Sequence, residues 1–514
     1  MRKHYLFSLI VAFSLSLFAQ EKSQNKEIEY PFAEPGSKVT RGVFGEDGRK
    51  EVKDAEGYTD FVRATAVMIS KQNIYDNEFY AWSLRDLLTQ KFETDKFHPN
   101  VKFLDQPTVG SCTGFLIAPD IMVTAGHCIN SMEDANRSVW VFDYTNESDF
   151  IDGNRLNFKS ENIFEVESII ASTFDDDTNN DYAILKLKRQ SDRAPYRFRT
   201  SGTVLENGAI NTIGCPTGLP LKFSTDAVVV DNSPSNWFKS NIDSFPGNSG
   251  GPVFDQNGFI EGILVRGAVE FNKADDKYTG DYKYDEDCEC IKTVQWDSVD
   301  YTAGCQSHKI TAVPTEALIM SIYKNIEYAV QHNVMNRFNA WSIYSWIFNH
   351  DYTNENGRFE TLAINHNNND ALELVLDNTS ENISDDYARA LIDLAVSKNS
   401  IEALNIILEK GLLADAGMNS KYTALQNAII TNKTEAAETL IYYGADTNVK
   451  TNNGDNLLHL VAKTGSKDLA EILIDKGIDA GAKNNDKKYP EKLAAKAKHK
   501  TLAKFLKKAR KGKL

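Results

Sequence analysis

Three glycines set the hardest constraint on this chain. Gly411, Gly444 and Gly477 follow one another at a constant 33-residue step, and each closes an apolar helical segment, "NIILEKG", "TLIYYGAD" and "EILIDKGID". Segments upstream keep the same step: "ALIDLA" from Ala390, "TALQNA" from Thr423, "NLLHLV" from Asn456 and "YPEKLA" from Tyr489. A period of this length means one helical unit used repeatedly. A single unit cannot bury its own apolar face, so the copies must stack on one another. "GRFETLAINHNNNDALELVLD" reads as an earlier, more degenerate copy, which starts the array near His350 and carries it to the C-terminus.

Ahead of the array the pattern changes. From about Arg41 to Val313, short apolar runs such as "GFLIAPDIMVTA", "SVWVFDY", "YAILKLK", "AINTIG", "AVVVD" and "IEGILVRGAVEF" are separated by Gly, Asn, Asp and Pro clusters. Many short strands at such spacing predict a sandwich or barrel. "TEALIMSIYKNIEYAVQHN" and "NAWSIYSWIFNH" are helical by period and lead into the array. A chain of 514 residues with 41% hydrophobic content exceeds one ordinary core, so two or three domains are expected.

The N-terminus reads as a cleaved secretory signal. Arg2, Lys3 and His4 precede the apolar run "YLFSLIVAFSLSLF", and small Ala19 closes it before polar sequence. The run is too short to span a membrane, and no later run is long enough. The mature protein is therefore expected to be exported, secreted or periplasmic, with residues 20–41 as a pro-segment or linker. A net charge of −15 argues against a general nucleic-acid binder. The lysine-rich stretch from Lys487 onward, with Glu491 as its one acid, is expected to be a solvated helix face.

Chemistry concentrates in three places. "IDSFPGNSGGPVF" sets Ser249 in a Gly-rich turn before an apolar run. "GSCTGFLIAPDIMVTAGHC" ends on His127 after a small Ala–Gly approach. "DDDTNNDYAILKL" puts Asp181 at the head of a strand. Each alone reads as a turn or surface residue. Together, a serine, a histidine able to take its proton and a carboxylate able to orient that histidine are the parts of a nucleophilic triad. The triple acid Asp175, Asp176 and Asp177 reads as a solvated loop rather than a calcium site, and no zinc spacing or phosphate loop is present. No cofactor or metal is expected.

The order His127, Asp181, Ser249 and the motifs "TAGHC", "DYAILKL" and "GNSGGP" resemble the trypsin-like serine peptidases of the chymotrypsin fold. "RGVFGEDGRKEV" from Arg41 is similar to the mature start of the bacterial glutamyl-endopeptidase-like branch. The 33-residue array resembles ankyrin repeats. These resemblances imply a multidomain chain: an all-β double β-barrel over 42–330, a helical linker over 331–350 and an all-α ankyrin-repeat solenoid over 351–514.

The peptidase resemblance implies His127 as general base, Asp181 as its orienting acid and Ser249 as nucleophile. It also implies an oxyanion hole from the N–H groups of Gly247 and Ser249, and a Cys112–Cys128 disulfide clamping the histidine loop. Of the other cysteines, Cys288 or Cys290 is expected to pair with Cys305, leaving Cys215 as a buried free thiol. Animal members carry an acid before the serine that pairs with a new N-terminus on activation; Asn248 stands there instead. Asp243 falls where an Arg/Lys-selecting pocket acid would be, and Gly267 where the pocket wall opens. Glu selection would need a histidine where Leu264 and Val265 stand, unless Arg266 substitutes.

The sequence therefore predicts an exported serine endopeptidase acting on protein or peptide substrates, whose ankyrin repeats bind a protein partner. An inactive peptidase-fold scaffold and a periplasmic quality-control protease are the alternatives. The intact His127, Asp181, Ser249 and Gly247 set argues against the first of these.

Overall fold

The computed structural model describes residues 47–54, 62–75, 78–148, 150–152, 155–175, 177–267, 282–295, 305–350, 358–417 and 421–513. The expected signal and pro-segment lie outside these residues, as do Asp176 and the Arg41–Gly42 bond, which just before "VFGEDGR" would suit self-processing by an Arg-specific enzyme. The chain divides into two compact units, one to Asn325 and one from Ile326, with the division inside the helix Thr315–Gln331.

The first unit is built on two antiparallel sheets. One is an open half-barrel in the order Ile163–Phe164, Ser138–Phe142, Thr65–Ser70, Gly110–Ala118, Ile121–Thr124, Asn180–Leu187 and Val166–Asp175. Its central strand "GSCTGFLIA" is buried from Cys112 onward, which is why it reads as a continuous apolar run rather than an alternation. The outermost strand, Val166–Asp175, keeps only its first residue fully buried.

The other sheet closes. Ala209–Gly214, Pro252–Phe254, Ile260–Arg266, Cys305–Lys309, Trp237–Ser240 and Lys222–Asp231 pair in sequence, and the last returns to the first to complete a six-stranded barrel. The short strand Lys50–Glu51 adds to its outside, pairing Lys50 with Phe223 and Glu51 with Lys222. Ile210, Val229, Phe238, Val253, Leu264 and Cys305 fill the barrel.

Cys305 therefore cannot take the disulfide expected of it. It is buried in the closed barrel, and its thiol donates to the Ile242 carbonyl at 3.1 Å. Cys288 instead bonds Cys290 at the tip of the hairpin Tyr282–Asp285/Cys290–Thr293. The turn brings these two cysteines together, whereas Cys305 belongs to another sheet.

The second unit is helical. Residues 331–350, expected as a helical linker, include the helix Met335–Trp341 and the 3₁₀ turn Ser342–Asn349, which bury Phe338 and Ile347. Among the described residues five helix pairs follow, from Phe359–His366 with Asn369–Thr379 to Pro490–Lys496 with Lys500–Arg510. The 33-residue step recurs at the N-caps Thr423, Asn456 and Tyr489. It also recurs as spacing between partners in space: Arg389 donates to the Tyr422 carbonyl and Asn485 to the Asn452 carbonyl, each across 33 positions. No described helix is long and apolar enough to cross a membrane.

The repeating glycines end their helices in the left-handed region, with φ of 88°, 90° and 86° at Gly411, Gly444 and Gly477. A side chain there would meet no atom within 4 Å, so the requirement is one of backbone conformation and not of space. Gly444→Ala should therefore destabilise the array by about 1–2 kcal/mol. Urea unfolding of the intact chain, followed by far-UV circular dichroism, measures this; an unchanged helical transition would contradict it.

Candidate active site

Asp181 begins the Asn180–Leu187 strand, fully buried, and holds His127 twice. One carboxylate oxygen accepts from the His127 main-chain N–H at 3.0 Å, the other contacts ring Nδ1 at 2.7 Å. The ring is therefore fixed in position and orientation by one side chain. Phe174, the cross-strand neighbour of Asp181, sets its ring edge-on to His127 at 5.9 Å between centroids. Gly126 explains the small residue before the histidine: a Cβ there would stand 1.9 Å from the Thr173 carbonyl oxygen. Only a glycine lets the histidine loop approach the strand pair that carries Asp181.

Ser249 is half-buried in the turn that precedes the Pro252–Phe254 strand. Its carbonyl accepts from Thr113 N–H at 2.8 Å, which ties the serine turn to the half-barrel. Thr113 does more. Its hydroxyl donates to the Gly247 carbonyl at 2.8 Å and accepts from the Cys215 N–H at 3.2 Å, and its carbonyl accepts from Thr124 Oγ1 at 2.7 Å. Next in sequence, Gly250 is pressed against Thr113 O, Thr124 Oγ1 and Ala125 N. The serine turn thus packs on the strand end that delivers His127.

Gly247 adopts φ +98°, and a Cβ would fall 2.2 Å from the Cys215 carbonyl oxygen. Conformation and space both demand glycine. Among the described residues, neither the Gly247 nor the Ser249 N–H donates to another protein group, so both amides remain available to an oxyanion. Cys112 and Cys128 are disulfide-bonded and clamp the histidine loop to the half-barrel's central strand. They lie close to the His127 ring, but bonded to each other they offer no thiolate to a metal. Cys215 is a buried free thiol whose pKa burial pushes up to about 12, and it donates to the Gly247 carbonyl at 3.0 Å.

Of the other predicted residues, Asp243 is buried and accepts from the Gly48 N–H at 3.2 Å. Gly267 is exposed at the end of the Ile260–Arg266 strand, with open space where a Cβ would be. Arg266 donates to Asn179 Oδ1 at 2.6 Å, two residues before Asp181. Asp175 receives the Asp177 and Thr178 N–H groups and the Thr178 hydroxyl, the pattern of a self-satisfied turn.

A family model described as a trypsin-like peptidase domain matches residues 112–263, the span that contains His127, Asp181 and Ser249. A second, for ankyrin repeats in three copies, matches residues 361–451 and 432–513. The chain joins a trypsin-like peptidase domain to ankyrin repeats. A search of curated proteins finds no match.

The trypsin-like domain holds residues that motif reading passed over. Thr113 lay unnoticed inside "GSCTG", where nothing in the spacing marks it. His308, on the Cys305–Lys309 strand, is fully buried behind Asp181. Its Nε2 lies 3.4 Å from Asn180 Oδ1, and its ring tilts against Tyr182 at 5.0 Å. Asn236 reaches the same Asn180 oxygen at 2.8 Å. "NND", Asn179 to Asp181, is therefore the seam along which the half-barrel meets the closed barrel. Desolvation lowers the His308 pKa to about 4, with the Asp181 charge only partly opposing it.

Two outcomes follow. Thr113→Val keeps the shape of the side chain but strands the buried Cys215 amide and leaves the Gly247 carbonyl with only the weak Cys215 thiol donor, an expected loss of about 1–3 kcal/mol in stability. Thermal unfolding beside wild type decides; an equal midpoint would refute it. His308 is neutral when folded, with a pKa below its ordinary 6.5, so the unfolded chain binds the extra proton. Its contribution is complete above 6.5 and is lost as pH falls through about 4. Urea titrations across that window should show a shallower acid-side loss in His308→Gln than in wild type, and parallel curves would rule the assignment out.

Proposed function

We propose that the peptidase domain is a serine endopeptidase, with Ser249 as nucleophile, His127 as general base and Asp181 as the acid that orients it. The observation carrying this reading is the double hold of Asp181 on His127, at 3.0 Å through the main chain and 2.7 Å through Nδ1. A carboxylate accepting from Nδ1–H leaves Nε2 as the ring's proton acceptor and steadies the imidazolium when it forms. Ser249 Oγ attacks the scissile carbonyl carbon while its proton passes to Nε2. The oxyanion is met by the Gly247 and Ser249 amides, His127 then gives the proton to the departing amine, and the peptide C–N bond breaks. Water, deprotonated by His127, hydrolyses the acyl-enzyme and restores Ser249.

Cleavage after Arg or Lys is the preference that Asp243 supports. A carboxylate buried at the base of a specificity pocket favours a cationic side chain, and Asp243 is buried six residues before Ser249. The open space at Gly267 suits a pocket mouth. Export is supported by the Cys112–Cys128 and Cys288–Cys290 disulfides, which persist in oxidising compartments and are rare in the cytosol. The ankyrin repeats perform no chemistry in this reading. Stacked repeats offer an extended face, and a protein partner or substrate is its natural occupant.

The test is the cleavage profile of the purified protein on a mixed peptide library, with Ser249→Ala as control. Loss of the nucleophile should cut turnover roughly 10⁶-fold. Residual hydrolysis within about tenfold of wild type would leave no role for the triad. Cuts confined to bonds after Arg or Lys support Asp243 as pocket acid. Cuts elsewhere keep the triad and discard that preference.

A further inference from the structure

The nucleophile turn of this chain has Asn248, not an acid, before Ser249, so an N-terminal ammonium would find no carboxylate at that position. A buried cation is nevertheless packed against the same turn. Arg49 has a fully buried guanidinium gripped by both Asp47 oxygens, at 2.9 and 2.7 Å. Its charged carbon stands 3.7 Å from the centroid of the Phe245 ring. Phe245 is the start of the turn, and its carbonyl accepts from the Asn248 N–H at 3.0 Å, one residue before the nucleophile. The adjacent Gly48 N–H reaches Asp243, just ahead of the turn.

We propose that residues 47–51 form an internal latch, in which Arg49 is a positioning residue that holds the Phe245–Ser249 turn in its reactive conformation without a free N-terminal ammonium. The proposal rests on the serine-endopeptidase reading of Ser249.

The latch is anchored at its own far end. Lys50 and Glu51 pair with the closed barrel as an added strand, and Glu51 makes a buried ion pair with Lys222 at 3.2 Å. Gln106 donates to the other Glu51 oxygen at 2.6 Å. Burying a guanidinium this deeply is costly unless it is paired and stacked. A segment needing only to be tethered could use an apolar residue there. The charge over the Phe245 face adds a directional attraction that an aliphatic side chain lacks, and it acts on the residue from which the Asn248 amide hangs.

The experiment uses the full chain and compares wild type, Arg49→Met and Arg49→Lys. It measures the rate at which a fluorophosphonate labels Ser249, kcat and KM on one peptide, and the thermal midpoint. At a temperature where every variant is folded, Arg49→Met should lose labelling rate and kcat by about 10²-fold, the scale of a nucleophile moved by ~1 Å, with KM changed less than about threefold. Arg49→Lys should recover part of the loss. Labelling and kcat within about twofold of wild type in folded Arg49→Met would overturn the latch. Should Arg49→Met fail to fold, Phe245→Leu, which removes the ring under the guanidinium, carries the same comparison.

A second arm asks whether the N-terminus matters. Arg41→Ala removes the candidate processing bond ahead of Gly42, and mass spectrometry reports whether the chain stays intact there. The latch predicts wild-type labelling from the intact chain. Labelling that appears only after the N-terminus is freed would assign the task to an ammonium and overturn the proposal. A wild type that neither labels nor hydrolyses peptide removes the triad reading and the latch together, whereas a reactive wild type with unaffected variants removes the latch alone.

Discussion

The peptidase domain turns on Thr113. One fully buried residue on the half-barrel's central strand supplies a main-chain donor to Ser249, a hydroxyl donor to Gly247 and an acceptor for Cys215. Two sheets that share no ladder among the described residues are joined at that point, and the join lies directly under the Ser249 turn. Most side-chain hydrogen bonds in proteins can be lost for about 1 kcal/mol, because water replaces them. Here the residue is fully buried, so the hydroxyl is held to its two partners and the main-chain N–H to Ser249. The seam continues along Asn179, Asn180 and Asp181, where Arg266, Asn236 and His308 reach across from the closed barrel. A catalytic group placed on such a seam is oriented by both halves and belongs to neither.

The helical unit is organised by the opposite principle. Each pair touches its neighbours, and the repeat distance along the chain returns as the distance between hydrogen-bonded partners. Stability of such an array is close to a sum over units and interfaces. The helix Lys500–Arg510 buries Leu502 and Leu506 and turns its lysines to solvent, so the basic run is a solvated helix face.

Buried charge marks the region around the Ser249 turn. Arg49 with Asp47, and Lys222 with Glu51, lie inside the first unit, and His308 stands behind Asp181. Desolvation pulls the Lys222 pKa down to about 8 and that of His308 to about 4, against the pull of nearby carboxylates. Apolar substitutes would pack such sites at less cost. The charges are found where position must be specified and not merely filled, beside the turn and strand end that carry Ser249 and Asp181.

The sequence by itself determined the two kinds of architecture, because each rests on a local pattern: a 33-residue step, or short apolar runs between turn residues. It named His127, Asp181, Ser249 and Gly247, because those residue types cluster in motifs with few other uses. It also identified Cys112 with Cys128, through resemblance rather than spacing. It misassigned Cys305, since a disulfide depends on which cysteines a fold brings together, and a tight hairpin turn sets Cys288 against Cys290. Thr113, Arg49, Phe245 and His308 were illegible for a related reason. Each acts across a gap of many residues, through a contact that exists only once two sheets and the 47–51 segment have closed on one another. Local chemistry is written in the chain; the seating of the Ser249 turn over its supports is decided by tertiary packing, because no short stretch contains both sides of the contact.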